Sequence, residues 1–512
     1  MARSSLLLVG LLLISGSLGV DYCSFGEICW PSDSTWSNFN ASINGRLVAP
    51  RPPAWPCHDP NYDEATCNNV KANWENSFWR SNQTGAMQDP VWESPGCDIY
   101  TLRNVTCNQG FVPIYSVVAL DRNDVSKAVS FAKRYKLRLV IKNTGHDYLG
   151  RSSGEGSFSI WTHNLKGINF SDSFVPKGCS NNQTGTPAVT VGAAEQWIDV
   201  YKAANDHNVT IVGGAARTVG AAGGWIQGGG HSPLRAMYGL GVDNVLQYTV
   251  VKADGKIINA NSCENKDIFW ALRGGGGSTY GVTLDVTYKR HPPLQSVVVV
   301  AMQVNVTSPQ QMVDMTAVFF KTLPNITDQG ARGYGFWMVP NNSFSVILIH
   351  PNSPSVEATN NTIQPIFDRA SHNNGTQVGS IGTIYSTFYD MLRPTLAILA
   401  LRYRPGSDLD LYPGRRSSGI QKNWRNWFWP ILIRADVGTV GGGAVNDFDP
   451  DSVGLNPQWR KDALLHWTFS SGWNDKTSNE LIEQIKRGVT NVTQQLGALS
   501  GLDEAAYFNE AD

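Results

Sequence analysis

The chain has 512 residues, 41% of them hydrophobic, which is enough apolar side chain for a large core and for two or three domains. This composition excludes a chain that is disordered throughout. Lys and Arg total 41 against 42 Asp and Glu, a formal net charge of −1, so we predict no nucleic-acid partner and no anionic-membrane partner. A small molecule is the expected partner.

The first 20 residues have the order of a secretory signal peptide. Arg3 precedes an apolar run at 6–14, and small residues follow as far as Gly19. Nine apolar residues are too few to span a bilayer, and no later stretch approaches the roughly 20 that a membrane helix needs. We therefore predict a secreted protein. Twelve Asn-X-Ser/Thr sequons predict N-glycans on it, with asparagines at 40, 82, 104, 169, 182, 208, 305, 325, 341, 360, 374 and 491.

Residues 21–110 are rich in Cys, Pro, Trp and Asn and show little periodicity, so we predict an irregular segment held by disulfides. It contains six of the eight cysteines. Short spacings favour the pairs Cys57–Cys67 and Cys97–Cys107, although eight cysteines allow 105 connectivities and the sequence does not choose among them. No paired CxxC accompanies them, so no metal site is predicted.

Strands and helices alternate from residue 115 onward, which predicts a mixed α/β domain ending near residue 292. In chain order the predicted elements are a strand at 116–120, a helix at 123–136, a strand at 137–141, a strand at 188–192, a helix at 195–207, a strand at 209–213, two strands flanking the Asp254-Gly255 turn, and a strand at 282–288. Beyond residue 293 the composition shifts to Val, Thr, Phe and Asn. A strand at 344–349 and a helix at 310–321 indicate a second α+β domain there.

Three glycine-rich segments carry the functional signal. The first, 142–154, follows a predicted strand, and its glycines let successive N–H groups converge on an anion while Ser152 and Ser153 add hydroxyl donors. We predict that this loop holds a pyrophosphate. The second, 218–231, and the third, 274–277, let a flat ligand or another backbone approach closely.

Other interpretations of these glycines stay open. Glycines also mark turns and close packing, and no GxGxxG or GxxxxGK[ST] motif is present. Residues 150–154 match the GxSxG of serine hydrolases, but a nucleophile elbow leads from a strand into a helix, and here a strand is predicted at 158–161. A secreted hydrolase and a non-catalytic glycoprotein are therefore the competing hypotheses.

Five motifs carry a resemblance to a known family, at 142–147, at 228–230 followed by 241–244, at 270–277, at 456–460 and at 507–510. Over about residues 50–512 the chain resembles fungal FAD-linked oxidoreductases of the vanillyl-alcohol-oxidase superfamily, in the berberine-bridge-enzyme-like group. Within that group it is most similar to secreted isoamyl alcohol oxidases. The resemblance implies an α+β fold with a PCMH-type FAD-binding domain of two α/β subdomains at 111–292. A substrate domain of antiparallel sheet plus helices follows at 293–455, and 456–512 returns to the FAD domain.

The resemblance also implies roles for individual residues. His146 stands where relatives attach the flavin 8α-methyl carbon to a histidine. Many relatives have a second tether from a cysteine, but Ala216 occupies that position, so a single covalent link is expected. Cys179 and Cys263 lie elsewhere and are expected to pair with each other. The other predicted FAD-binding residues are Lys142, Asn143, Thr144, Gly145, Asp147, Ser152, Ser153, Thr218, Gly220, Gly223, Gly224, Gly229, Gly230, His231 and Asn509.

For catalysis the resemblance points to the end of the chain. Oxidation of an alcohol needs a base near the flavin, and Glu510 stands where some relatives have a tyrosine base, with Tyr507 beside it. The open alternative for Glu510 is that it caps a helix or pairs with an arginine. The open alternative for His231 is a packing role. The aromatic cluster Trp424, Trp427, Phe428 and Trp429 either lines a substrate cavity or packs in a core.

Molecular oxygen is the expected reoxidant because a secreted enzyme has no reliable pool of soluble nicotinamide. Relatives usually continue for a few tens of residues after the motif at 507–510. We therefore expect the 512-residue form to be either a fragment or an enzyme of low turnover.

Overall fold

The computed structural model describes residues 22–180, 182–393, 434–461, 465–471 and 477–500. The signal-peptide prediction at 1–20, the aromatic cluster at 424–429 and the terminal residues Tyr507, Asn509 and Glu510 lie outside the described residues. No helix in these described ranges is long and apolar enough to cross a membrane.

The segment before residue 110 is more ordered than its sequence predicts. It contains three helices, α1 (Asp33–Ser42), α2 (Glu64–Asn73) and α3 (Ser77–Ser81), and one short strand, β1 (Leu47–Val48). The prediction of an irregular segment is therefore wrong in part. The helices are too short to show a clear apolar period, and the local signal for them is capping: the side chains of Ser32, Asp63 and Asn76 each accept a backbone N–H at a helix start.

Four disulfides are present among the described residues. The Cys57–Cys67 and Cys97–Cys107 pairs favoured by spacing are present, as is the Cys179–Cys263 pair expected from the resemblance. The fourth is Cys23–Cys29. Three of the four lie before residue 110 and close short loops, so they fix the segment locally.

The first sheet has the order β1-β2-β4-β3, with β2 (Tyr115–Val118), β3 (Leu139–Lys142) and β4 (Phe158–Trp161) parallel. Helix α4 (Arg122–Tyr135) starts at a capping box formed by Asp121 and Asp124, and its apolar face packs in the same core as β2 and β4. The predicted strand–helix–strand unit exists, but β4 lies between its two strands. The loop 143–157 therefore carries the chain from the edge strand β3 to the inner strand β4.

The second sheet has the order β5-β6-β9-β7-β8 and is antiparallel throughout. Helix α5 (Trp197–Asp206) buries Trp197, Val200 and Tyr201 in the core that this sheet contributes to. The strands are β5 (Ile168–Phe174), β6 (Thr186–Gly192), β7 (Val245–Val251), β8 (Ile257–Asn261) and β9 (Val282–Lys289), and three short helices accompany them: α6 (Gly224–Gln227), α7 (Arg235–Tyr238) and α8 (Lys266–Leu272).

The strand predicted at 209–213 is wrong. Only Thr210 is paired, through an antiparallel bridge to His291, and the residues after it run in irregular conformation. The β-branched residues of this run favour a strand by propensity, but a strand also needs a partner edge. Here the pairing stops after one residue, so the second strand–helix–strand unit is incomplete.

The third sheet is antiparallel, in the order β13-β10-β12-β11-β14-β15, and matches the predicted antiparallel-sheet-plus-helices domain. Side chains of β10 alternate between two cores: Val298 and Val300 face the core shared with the helix Pro309–Asp328, whereas Val297 and Val299 face the core that contains Trp197. One face of this sheet therefore packs on the first domain.

The strands of this sheet are β10 (Val297–Asn305), β11 (Arg332–Met338), β12 (Ser343–Pro351), β13 (Gln377–Tyr385), β14 (Arg434–Thr439) and β15 (Leu465–Ser470). The remaining helices are α9 (Pro309–Asp328), α10 (Val356–Thr362), α11 (Gln364–Ser371), α12 (Phe388–Leu392), α13 (Gln458–Lys461) and α14 (Asn479–Ser500). Beyond residue 456 the chain contacts both domains: Trp459 packs in the first-domain core, and β15 extends the third sheet. The domain boundaries themselves stay predictions.

Candidate active site

The loop after β3 is held in place by the N-terminal segment. The Gln88 backbone N–H donates to the Gly145 carbonyl at 2.9 Å, and Gln88 Nε2 donates to the Thr144 carbonyl at 3.0 Å. Gly145 has φ +81°, and a Cβ there would lie 3.2 Å from the Ala86 carbonyl oxygen. Glycine suits this position because a residue with a side chain would be strained at this φ and would require the Ala86 backbone to shift.

His146 lies where the first glycine-rich loop meets the second glycine-rich segment. Its Nε2 is 2.8 Å from the Thr218 hydroxyl oxygen, and the Thr218 carbonyl accepts a hydrogen bond of 2.8 Å from Gln196 Nε2. Burial lowers the pKa of His146 to about 4, so the imidazole is neutral at ordinary pH. A neutral ring keeps one nitrogen lone pair, which a nucleophile requires.

Asn143 and Gly220 form a second contact between the same two segments. The Asn143 amide donates to the Ala193 carbonyl, and a Cβ at Gly220 would collide with that amide. The Ala221 N–H donates to the Glu195 carbonyl at 2.8 Å, which fixes the backbone beside Gly220. The predicted FAD-binding residues of the two segments are thus brought together although about 70 residues separate them.

Asp147 and Ser153 make their contacts inside the first loop. Asp147 accepts from the Arg151 backbone N–H at 2.6 Å and pairs with the Arg151 guanidinium at 2.6 Å. The buried Ser153 hydroxyl donates to the Gly150 carbonyl at 3.2 Å. These side chains shape the loop, and their predicted contact with FAD stays a prediction. Ser152 is half-buried, and the chain runs from it into β4 rather than into a helix, so the nucleophile elbow of a serine hydrolase is not formed here.

A buried charged cluster beneath this loop was not found from the sequence. Glu93 forms an ion pair with Arg80 and accepts the Met87 N–H at 2.8 Å, and all of these groups are buried. Lys142 is buried as well and donates to the Gln83 carbonyl. Burial raises the pKa of Glu93 to about 7 and lowers that of Lys142 to about 7. Through its hydrogen bond to the Gln83 carbonyl, the Lys142 side chain ties the start of the loop to the N-terminal segment.

The second glycine-rich segment is joined to two of the other motifs. Gly223 precedes helix α6, the Gly230 carbonyl accepts the Gly241 N–H at 2.7 Å, and the Gln227 carbonyl accepts the Gly276 N–H at 2.9 Å. The buried Gln227 Oε1 has no hydrogen-bond partner in the described part of the chain. An unpaired buried acceptor costs stability. A hydrogen-bond donor on a bound ligand would remove that cost.

His231 lies at the contact between the two domains. Its ring centroid is 6.2 Å from that of Tyr334 on β11, in an edge-to-face arrangement, and its carbonyl accepts from Trp225 Nε1 at 3.2 Å. A packing role for His231 is therefore present in the structure. Its predicted contact with FAD stays a prediction, as do those of Gly224 and Gly229.

The remaining family motifs brace the first domain against the segment 451–460. Arg460 makes a two-point ion pair with Asp243, at 2.6 and 2.9 Å, and both side chains are 1% exposed. Trp270 Nε1 donates to the Asp451 carbonyl at 2.8 Å, and Arg273 Nη2 donates to the Ser452 carbonyl at 2.8 Å. These motif residues act as structural supports.

The residues present fit an FAD group. His146 and Thr218 are in contact, Asn143 and Gly220 join the same two segments, and the buried Gln227 Oε1 on the second segment is an unsatisfied acceptor in the described part of the chain. The cofactor would be held by the His146 loop and the segment 218–230. Gln88, Arg80 and Glu93 support that loop, and no local motif marked them in the sequence.

Comparison with known proteins agrees with this assignment. Residues 113–261 match the family model of an FAD binding domain. An FAD-linked oxidoreductase of Arthroderma benhamiae is 39% identical over 500 residues, covering 96% of this chain and 87% of that protein. A solved VAO-type flavoprotein of Myceliophthora thermophila C1 is 28% identical with a TM-score of 0.79, covering 96% of this chain and 90% of that one.

A glucooligosaccharide oxidase of Acremonium strictum with a 6-S-cysteinyl, 8α-N1-histidyl FAD has a TM-score of 0.55 at 17% identity, covering 78% of this chain and 83% of that one. At that identity the similarity shows a common fold. Together the comparisons confirm the resemblance, the fold class, FAD as the cofactor and an oxidoreductase as the class of enzyme.

Proposed function

We propose that this chain, which belongs to the family of FAD-linked oxidoreductases, is a secreted, N-glycosylated oxidase that passes hydride from an alcohol to FAD and reduces O2 to H2O2. The observation that supports it most is the junction of His146 and Thr218 within the glycine-rich segments. When bound, the flavin supplies the electron acceptor for the alcohol carbon. The chain's own residues bind, orient and cover it.

A single covalent link through His146 is part of this proposal. The ring is neutral, and its Nε2 is hydrogen-bonded to Thr218, which leaves Nδ1 as the nitrogen for attachment. The glucooligosaccharide oxidase has both a histidyl and a cysteinyl link. Ala216 has no nucleophilic atom, so this chain would lack the second link.

The proposed substrate is a simple alcohol or an alcohol group of a secondary metabolite, bound between the flavin and the third sheet. The contact of His231 with Tyr334 supports this position because it joins the glycine-rich segment to β11. Glu510 is proposed as the base that takes the hydroxyl proton. A carboxylate beside an apolar ring has a raised pKa, which suits proton transfer near neutral pH.

Flavin attachment tests the first part of the proposal. Purified protein should be yellow, and a denaturing gel should show a fluorescent flavin band that disappears in His146→Ala. Protease digestion should give flavin on one peptide that contains His146. The exposed His372→Ala removes a histidine far along the chain from this loop and is the control, which should retain the band. A fluorescent peptide without His146, or flavin bridging two peptides, would contradict the single link.

Turnover tests the second part. Reduced enzyme mixed with oxygenated buffer in a stopped-flow instrument should reoxidise faster than free flavin, with H2O2 formed in step with alcohol consumed. Glu510→Gln should slow flavin bleaching by alcohol without slowing reoxidation. Reoxidation no faster than that of free flavin would make the protein a dehydrogenase. A colourless protein would favour the non-catalytic glycoprotein, and ester hydrolysis abolished by Ser152→Ala would favour the hydrolase.

A further inference from the structure

A cavity of about 280 Å³ lies where the first domain meets the segment 448–452. It lies between the start of β7, the end of β9, helix α8 and the segment 448–452. None of the residues predicted to bind FAD lines it. The lining residues used below are Arg273, Lys289, Ser262, Leu246, Phe269 and Phe448.

The charge on this cavity is positive. Arg273 and Lys289 both line it, and within the described part of the chain neither forms an ion pair with a carboxylate. The one acidic residue among its lining is Asp243, whose carboxylate is held by Arg460. The carboxylate of Asp243 is thus engaged by Arg460, and the two lining cations have no carboxylate partner of their own in the described residues. Burial lowers the pKa of Lys289; the Asp243 charge opposes this shift, and the charge of Arg273 adds to it.

The donors of the two cations are only partly used. Arg273 donates from Nε to the Phe269 carbonyl at 3.3 Å and from Nη2 to the Ser452 carbonyl at 2.8 Å, and its Nη1 has no partner in the described ranges. Lys289 Nζ donates one hydrogen bond, to the Asp243 carbonyl at 3.1 Å. An ammonium carries three donors, so two stay available.

The Arg273 guanidinium is also held in a fixed plane. It lies over the Phe269 ring, 4.0 Å from the ring centroid, while its two hydrogen bonds restrain its rotation. A planar guanidinium with free donors matches the two oxygens of a carboxylate or phosphate, and pre-orientation lowers the entropy lost on binding.

We propose that this cavity, the Arg273–Lys289 cavity, binds a small molecule through a carboxylate or phosphate group held between Arg273 and Lys289. The volume exceeds that of a bare anion, since a water occupies about 30 Å³. Phe269, Phe448 and Leu246 give the rest of the cavity an apolar lining, which suits a short hydrocarbon or a single ring attached to the anionic group. The Ser262 hydroxyl is a further polar group on the lining.

Calorimetric titration of the flavin-loaded protein tests this proposal, with sodium phosphate and sodium benzoate as probes in chloride buffer of constant ionic strength. One saturable site is expected for at least one probe. Lys289→Gln should weaken binding roughly tenfold or more, as expected for loss of a charge-assisted contact. Lys256→Gln removes the same charge from the exposed β7–β8 turn and should leave binding unchanged.

Leu246→Trp fills the cavity without changing its charge and should abolish binding. Flavin content and the visible spectrum should stay the same in all of these proteins, so the result is independent of the proposed oxidase activity. Saturation by phosphate alone would identify phosphate compounds as the ligands, and saturation by benzoate alone would identify carboxylates. No saturable binding of either probe, equal weakening by Lys256→Gln, or unchanged binding in a folded Leu246→Trp protein would overturn the proposal.

Discussion

His146 Nε2 and the Thr218 hydroxyl oxygen are 2.8 Å apart, although 72 residues separate them in the chain. Thr218 is buried, and its carbonyl is held by Gln196, so the hydroxyl cannot move away easily. The bond therefore restrains the orientation of the His146 ring and leaves Nδ1 as the ring nitrogen that Thr218 does not engage. A nucleophile that must meet one carbon of a cofactor gains from this orientation.

Thr218→Val should slow covalent attachment of FAD without preventing binding. Valine has the same shape but no hydroxyl, so the ring loses this restraint, and a hydrogen bond worth about 0.5–1.5 kcal/mol predicts a loss of roughly two- to tenfold in attachment rate. Mixing apoprotein with FAD and following gel fluorescence over time measures it. Thr218→Ser keeps the hydroxyl and should react at the parental rate. An unchanged rate in the valine variant would show that the bond does not orient the ring.

Gln88→Ala should loosen the His146 loop. The side-chain amide donates to the carbonyls of Thr144 and Ser77, and each net hydrogen bond lost costs about 1 kcal/mol. Backbone amides at 143–151 should therefore exchange with deuterium several-fold faster, whereas those of the third sheet should not change. Gln329→Ala, an exposed glutamine at the end of α9, is the matched control. Equal protection of the loop in both variants would exclude Gln88 as its anchor.

Arg460→Met should destabilise the protein more than a surface substitution would. It leaves the carboxylate of Asp243 buried without its partner, which typically costs about 3–5 kcal/mol. Chemical denaturation followed by tryptophan fluorescence measures the change, with the double variant Asp243→Asn/Arg460→Met as the comparison. The double variant should recover part of the loss because no unpaired charge remains. A single variant as stable as the parent would show that solvent reaches the pair.

The extent to which the fold can be predicted from sequence differs between elements. Helix α4 was predicted to within one residue at each end because its cap and apolar spacing are local signals. The position of β4 between β2 and β3, and the missing strand at 209–213, depend on which edges meet, and local propensity does not carry that information.

The site divides in the same way. The residues of the glycine-rich segments were identified from their motifs, and the structure brings His146 and Thr218 into contact. The supports Gln88, Glu93 and Arg80 carry no motif, and they reach the loop across some 50 residues of chain, so no spacing rule could have found them. The motifs therefore mark the two glycine-rich segments that meet at His146, whereas the residues that support the first of them from the N-terminal segment carry no such mark.

Protonation of His291 should lower the stability of the folded protein in acid. Its Nε2 is 2.7 Å from Asn244 Oδ1, its ring stacks on Tyr238 at 3.9 Å between centroids, and burial, followed by the charge of Lys289, lowers its pKa to about 4. The unfolded chain, with a histidine pKa near 6.5, then binds a proton that the folded chain does not. Its contribution is therefore fully present above about pH 6.5 and is lost as the pH falls towards 4.

The variant His291→Gln tests this prediction. It keeps a polar group beside Asn244 and should flatten this part of the profile of unfolding midpoint against pH, whereas the exposed His372→Gln should leave the profile unchanged. Profiles of the same slope in the two variants would mean that His291 is protonated as readily in the folded protein as in the unfolded chain.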